Sequence, residues 1–143
     1  MQNSNHNPPI YLVSACLMGL KTRYDGQVFT SKPCEIVIDD AIWLPVCPEQ
    51  LGGLATPRTA ADLVGGDGRD VLAGRARVIT RDGNDVTDNF IEGARQVLEI
   101  VLRQKIRGIF LKSGSPSCGL TPRLGVTAAL LSQHKDFYIK EFE

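Results

Sequence analysis

Three of the four cysteines lie where a protein can build a thiolate site. Cys16 and Cys47 directly follow apolar runs, and Cys118 lies in a glycine- and serine-rich loop after a third run. Thiolates bind zinc and iron–sulfur clusters, and a single activated thiolate is a nucleophile. Cys34 follows a Lys-Pro pair instead, so we interpret it as a packing residue or a surface thiol.

The spacing of these cysteines does not identify what they bind. The chain lacks the compact cysteine runs of ferredoxin-type cluster motifs and the paired Cys-x-x-Cys knuckles of structural zinc. Three thiolates could hold zinc with one open position, or a four-iron cluster in which one iron has no protein ligand. Alternatively, one cysteine could carry a persulfide. The residues alone therefore predict a thiolate site and leave these three identities open.

Polar residues beside the cysteines are candidate acid–base groups. Glu49 follows Cys47 by two positions, where a carboxylate can act as general acid or base. Ser115 and Ser117 flank a proline before Cys118 and can donate hydrogen bonds to sulfur or substrate, or satisfy the backbone of a turn. Asp25 belongs to an Arg-Tyr-Asp-Gly run after the first cysteine. An Asp-Gly pair favours a turn, and the nearby cysteine makes Asp25 a candidate for the site.

Alternating strands and helices must position these residues. From apolar runs and turn signals we predict strands at residues 10–15, 42–46, 75–80, 108–112 and 137–142. The three-four spacing of apolar residues predicts a helix at 88–104, a second at 126–134 and a short third at 33–39. The glycine-rich run at 65–68 favours a flexible turn, because it does not open a convincing helix.

This alternation predicts an α/β protein with a single Rossmann-like domain, in which helices cover both faces of a mostly parallel sheet. We expect residues 1–9 to form a disordered or loosely packed tail and residues 10–143 to form the domain. Ligands of such sheets bind beyond the carboxyl ends of the strands. Three thiols that follow three parallel strands should therefore lie along the same rim.

Composition excludes several classes of protein. The 143 residues suffice for one core, and 16 basic residues balance 16 acidic ones. A polymeric nucleic acid is therefore not an expected partner. No apolar run is long enough to span a membrane, and the polar N-terminus does not resemble a signal peptide. We expect a cytoplasmic protein whose cysteines are reduced.

Four motifs resemble those of the DUF523 family, whose characterised members are thiouracil desulfurases. The motifs are VSACLMG at 13–19, RYDG at 23–26, PVCPEQLGGL at 45–54 with TPR at 56–58, and KSGSPSCG at 112–119. The resemblance covers nearly all of the chain after the tail. The chain looks like a short, single-domain member of that family.

The resemblance implies a [4Fe–4S] cluster held by Cys16, Cys47 and Cys118, with the fourth iron open to the sulfur of a thiocarbonyl substrate. A thiolated pyrimidine such as 2-thiouracil would become uracil and sulfide, without an electron donor. Glu49 matches the acid–base carboxylate of the family and Ser115 its active-site serine. No role carries over to Cys34.

Two other functions are weighed against this one. The chain could be a sulfur-transfer protein in which a cysteine accepts a persulfide, or a cluster- or zinc-binding protein without catalysis. The sequence leaves the oligomeric state open between monomer and dimer.

Overall fold

A computed structural model of the chain describes residues 7–28, 40–134 and 137–143. The strands in these ranges are β1 (Ile10–Ser14), β2 (Ile42–Val46), β3 (Ala61–Val64), β4 (Arg77–Thr80), β5 (Ile106–Lys112) and β6 (Ile139–Phe142). The helices are α1 (Pro48–Leu51), α2 (Gly68–Leu72), α3 (Thr87–Arg103) and α4 (Val126–Ser132), and a 3₁₀ turn occupies Ala15–Met18. None of these helices has the length and apolar character that a membrane span requires.

Four of the strands form one parallel sheet in the order β2-β1-β5-β6. This confirms the predicted α/β class with a mostly parallel sheet. The register places Ser14 beside Val46, and Val13 pairs with Phe110. The chain therefore leaves β1, β2 and β5 along one edge of the sheet, which we call the carboxyl edge.

One face of the sheet carries the largest apolar cluster. Helices α3 and α4 bury apolar side chains here against β1 and β5, and these residues include Leu12, Val97, Val101, Ile109, Leu111, Ala128 and Leu131. The three-four spacing that predicted α3 is the spacing of its buried stripe. Burial of this stripe, rather than helix propensity alone, stabilises α3 in water.

The other face of the sheet carries aromatic side chains. Tyr11, Trp43, Phe110 and Phe142 lie with neighbouring ring centroids 5.1–5.5 Å apart. Leu17 of the 3₁₀ turn packs against this group. The helix predicted at 33–39, and with it Cys34, lies outside the described residues.

The predicted strand at 75–80 forms from Arg77 onward, but it does not join the parallel sheet. It pairs antiparallel with β3, which the sequence analysis missed, and the two make a separate hairpin. Strand β3 has only four residues, and Leu63 is its only buried one, so no apolar run signals it. Leu63 packs with Phe90 and Ala94 of α3, which fixes the hairpin beside the parallel sheet.

The prediction of a flexible turn at 65–68 is wrong for its last residue, because helix α2 begins at Gly68. The Asp67 side chain accepts hydrogen bonds from the N–H groups of Arg69 and Asp70, and the Asp70 carboxylate accepts one from the Asp67 N–H. This reciprocal capping satisfies donors that an uncapped helix leaves free. At Gly68 there is no room for a Cβ atom, which would overlap the Gly125 carbonyl.

Two glycines bring α1 and α3 into backbone contact. A Cβ atom at Gly93 would overlap the Pro48 carbonyl, and one at Gly52 would overlap the Asn89 carbonyl. The Asn89 side chain also donates a hydrogen bond to the Gly52 carbonyl at 2.8 Å. Helix α1 has only four residues, so this contact with the long helix α3 holds it in place.

Candidate active site

The carboxyl edge of the sheet opens into a cavity of about 400 Å³. Cys16, Cys47 and Cys118 all line it. The structure thus brings together three thiols that lie far apart in the sequence. Their convergence follows from the parallel strands, since β1, β2 and β5 all end at this edge.

Two of the thiols are held where a strand turns into a short helix. Cys16 lies in the 3₁₀ turn that begins directly after β1, and the left-handed Gly19 ends that turn. Cys47 keeps an extended backbone as the residue before α1, and Pro48 occupies the first helical position. Both thiols are partly exposed to the cavity.

The third thiol is buried in the loop after β5. The Ser115 hydroxyl accepts hydrogen bonds from the backbone N–H groups of Ser117 at 3.1 Å and of Cys118 at 3.0 Å. These bonds close a tight turn and fix the position of Cys118. Ser115 therefore lines the cavity as predicted, and it also organises the backbone of this loop.

The last strand secures the same loop from its other side. The Glu141 carboxylate of β6 accepts hydrogen bonds from the N–H groups of Leu120 at 2.7 Å and of Thr121 at 2.8 Å. It also accepts one from the Thr121 hydroxyl at 2.6 Å. Hydrogen bonds to a charged group are among the stronger ones in proteins, so β6 anchors the segment that follows Cys118.

Burial disfavours the ionised form of each of the three thiols. Burial raises the pKa of the Cys118 thiol to about 12 and that of the Cys16 thiol to about 11. Burial also raises the pKa of the Cys47 thiol. The cations Lys112 and Arg23 act in the opposite direction on the pKa of Cys16, but burial outweighs them. A bound cationic group would stabilise the thiolates, and its binding would release protons.

The donor set suits a soft metal group that is larger than one ion. Three cysteines and no histidine line the cavity among the residues that the structure describes, and thiolates favour zinc and iron–sulfur clusters. Among the described residues, no group of three His, Cys, Asp or Glu side chains converges as the ligands of a single metal ion do. The ligands of a cluster bind different iron atoms and need not converge so closely. The cysteines therefore fit an iron–sulfur cluster.

Glu49 lines the same cavity, and both of its carboxylate oxygens are engaged. Oε1 accepts a hydrogen bond from Arg58 Nε at 2.9 Å, and Oε2 accepts one from the Ser117 hydroxyl at 3.0 Å. The Glu49 side chain is only 13% exposed. The sequence analysis named Glu49 as the acid–base candidate, and the structure places it beside the thiols.

Arg58 lines the cavity and was not among the predicted site residues. Its side chain is 10% exposed, and its guanidinium bonds with Glu49, with the Thr22 carbonyl and with the Cys47 sulfur. The only signal in the sequence was its place in the TPR motif. Nothing in local spacing links it to Glu49, because the loop that joins them has no regular periodicity.

Asp25 does not line the cavity. Its carboxylate pairs with Arg23 at 3.2 and 3.3 Å and accepts a hydrogen bond from the Gln27 N–H at 2.9 Å. This is the turn that an Asp-Gly pair favours. Arg23 and Tyr24 line the cavity in its place, and the catalytic role predicted for Asp25 finds no support in this geometry.

The β3–β4 hairpin completes the wall of the cavity. Asp62 of β3 and Arg81, which directly follows β4, line it opposite the strand ends. Asp62 escaped the sequence analysis because β3 was not predicted, and Arg81 because the strand before it was expected in the parallel sheet. In the described part of the wall, basic residues outnumber acidic ones: Arg23, Arg58, Arg81 and Lys112 line it together with Glu49 and Asp62.

Comparisons with known proteins show the family of the chain. Residues 11–142 match a family model described as 2-thiouracil desulfurase. The uncharacterized protein YbbK of Bacillus subtilis (strain 168) is 40% identical to the chain, with 85% of this chain and 89% of YbbK covered. A solved structure of the [4Fe-4S]-dependent thiouracil desulfidase TudS is 35% identical and has a TM-score of 0.75. That match covers 94% of this chain and 91% of TudS.

Proposed function

Because the chain belongs to the 2-thiouracil desulfurase family, we propose that it removes sulfur from a thiolated pyrimidine such as 2-thiouracil with the help of a [4Fe–4S] cluster. The family membership confirms the resemblance found in the sequence. The observation that carries the proposal is the arrangement of three thiols and one acid–base carboxylate around a single cavity. The [4Fe-4S]-dependent structural relative supports the choice of cluster.

Cys16, Cys47 and Cys118 would hold the cluster, one from each of three loops at the carboxyl edge. When bound, it would supply a soft Lewis-acidic iron for the sulfur of the substrate. Arg23 and Lys112 offset part of the negative charge that three thiolates bring, since both favour the ionised form of Cys16. A volume of about 400 Å³ is in the range of small-molecule sites and accommodates a pyrimidine.

The reaction exchanges sulfur for oxygen without net oxidation or reduction. A water molecule adds its oxygen to the thiocarbonyl carbon, the carbon–sulfur bond breaks, and the products are a carbonyl compound and hydrogen sulfide. Both protons of hydrogen sulfide come from the water. A positioned general base is typically worth about 10²- to 10⁴-fold in rate.

Glu49 is placed to handle these protons. As a carboxylate beside the cavity it accepts a proton from the attacking water and returns it to the leaving sulfur. Ser117 holds one carboxylate oxygen at 3.0 Å. The Ser115 hydroxyl lies 3.0 Å from the Ser117 hydroxyl, so Ser115 supports this arrangement through Ser117 as well as through the backbone.

Anaerobic purification followed by iron and acid-labile sulfide analysis tests the proposal. We expect a brown protein that contains four iron atoms per chain. This protein should convert 2-thiouracil to uracil, detected by chromatography, and release an equal amount of sulfide. A colourless protein that contains zinc, or a brown protein that leaves 2-thiouracil unchanged, would contradict the proposal.

A further inference from the structure

We infer that Arg58 is a positioning residue, which holds the proton-handling carboxylate and a cluster-binding cysteine in one rigid unit. This inference rests on the desulfuration proposed above. Arg58 belongs to neither α1 nor the strand ends, and it reaches both from the loop before β3. Its role concerns the relative placement of Glu49 and Cys47.

The hydrogen bonds of Arg58 use all three of its side-chain nitrogen atoms. The acceptors are Glu49 Oε1, Ala55 O, Thr56 Oγ1, Thr22 O and Cys47 Sγ. The bonds to Glu49 and to Thr22 are both 2.9 Å long, and the contact with the Cys47 sulfur is 3.9 Å. One side chain thus joins the loop after Cys16, the residue before α1, and α1 itself.

The Cys47 thiol approaches one of the same acceptors. Its sulfur donates toward the Thr22 carbonyl at 3.7 Å. In the protonated thiol, the Thr22 carbonyl accepts from both Arg58 and Cys47, which places the sulfur beside the guanidinium. A cluster-bound Cys47 would have no S–H to donate, and Arg58 is placed to donate to its sulfur. Hydrogen bonds to cysteine sulfur tune the electronic properties of a bound cluster.

Lysine cannot reproduce this set of contacts. An ammonium group has three donors around one atom, whereas the guanidinium is a rigid planar fork that reaches several acceptors at once. Arg58→Lys keeps the charge beside Glu49 but cannot also span Thr22 and Cys47. Conversely, a role limited to holding the loop would need only the contacts with Ala55 and Thr56.

The test compares wild-type protein, Arg58→Lys and the control Arg123→Lys after anaerobic cluster loading. Arg123 is an exposed arginine that donates to the Leu63 carbonyl at 2.9 Å, and it does not line the cavity. For Arg58→Lys we expect full iron content, a KM for 2-thiouracil within about twofold of wild type, and a kcat lowered about 10- to 100-fold. This range corresponds to the loss of a hydrogen bond to a charged group. Arg123→Lys should keep the wild-type kcat.

A spectroscopic readout tests the sulfur contact separately from turnover. Loss of the hydrogen bond to Cys47 should shift the visible absorption and the reduction potential of the cluster in Arg58→Lys and not in Arg123→Lys. Added guanidinium at millimolar concentration should restore part of the kcat of Arg58→Ala. Each of these effects would be absent if Arg58 served only as a structural link.

The outcomes separate the two proposals. No turnover by iron-loaded wild-type protein would contradict the proposed function and the role of Arg58 with it. Wild-type turnover with an unchanged kcat and an unchanged cluster spectrum in Arg58→Lys would overturn the role of Arg58 alone. Loss of iron from Arg58→Lys together with a fall in melting temperature would also overturn it, because that pattern indicates a purely structural residue.

Discussion

The two ends of the parallel sheet differ in how deeply their charged side chains are buried. At the carboxyl edge, the Glu49 and Arg58 side chains are 13% and 10% exposed, and their polar atoms are bonded. At the opposite edge, Ile10, Ile42, Leu44 and Ile100 line a shallow groove. Its charged residues, Glu99 and Arg103, form an ion pair at 3.0 Å but are 59% and 77% exposed.

This difference shows where the fold retains costly polar groups. A buried charge is expensive unless it is paired and hydrogen-bonded, so the network at the carboxyl edge must be complete to be tolerated. An exposed ion pair contributes about 0–1 kcal/mol to stability. Substitutions at the carboxyl edge should therefore change chemistry, and those at the opposite edge should change stability slightly.

The largest effect is expected from the thiols. Cys16→Ala, Cys47→Ala and Cys118→Ala should each abolish cluster binding and turnover, because each removes one of the three proposed protein ligands. Iron analysis and the visible spectrum of anaerobically prepared protein measure the first effect, and the release of uracil from 2-thiouracil measures the second. Cys34→Ala is the matched control and should keep both. Full iron content in any of the three variants would remove that cysteine from the ligand set.

Glu49→Gln comes next. It preserves the shape of the side chain and removes the proposed acid–base function, so we expect the cluster to remain and kcat to fall by about 10²- to 10⁴-fold. Steady-state kinetics on iron-loaded protein give this value. Glu99→Gln makes the same chemical change at the opposite edge and should leave kcat unchanged. Equal kcat values for Glu49→Gln and Glu99→Gln would contradict the expected difference between the two edges.

Gly93→Ala tests how α1 is held. The added methyl group would overlap the Pro48 carbonyl, so we expect a loss of about 1–3 kcal/mol in the free energy of unfolding. This loss exceeds the gain of about 0.5–1 kcal/mol that alanine normally brings to a helix. Urea unfolding followed by circular dichroism measures the difference. Arg95→Ala, on an exposed position of α3, serves as control, and an equal stability of the two variants would show that α1 tolerates displacement.

The smallest effect is expected from the exposed ion pair. Glu99→Gln removes an i,i+4 pair with Arg103 on the surface of α3, which is worth about 0.3–0.5 kcal/mol. Urea unfolding measures the difference in the free energy of unfolding between the variant and the wild type. At high salt this difference should be smaller, because salt screens exposed charges. A loss above 1 kcal/mol would show that this edge contains more than a surface pair.

The sequence predicted what depends on local pattern. The apolar runs before Cys16, Cys47 and Cys118 identified three strands, and the parallel arrangement then brought the thiols to one rim. Helix α3 was visible for the same reason, since its buried stripe repeats every three or four residues. A strand or helix can be predicted when its buried residues form a regular pattern along the local sequence.

The contacts that complete the site join residues that are far apart in the sequence, so no local pattern predicts them. Strand β3 buries only Leu63, so neither alternation nor an apolar run marks it, and the wall that it builds was missed. Arg58 contacts Thr22 and Cys47 because the tertiary structure brings these residues together. Ser115 was named as an active-site serine, but it is Ser117 that contacts Glu49 directly. Side-chain partners of this kind follow from tertiary structure and carry no periodic signal.

The bonds from Glu141 to the loop after Cys118 have a consequence for biosynthesis. A nascent chain that has exposed β1 and β2 presents two of the thiols, while the strand that anchors the loop of the third thiol is still within the ribosome. Domains fold as units once the necessary segments have emerged. We therefore expect iron to be loaded after translation of β6, onto a chain whose three ligand loops are already tied together.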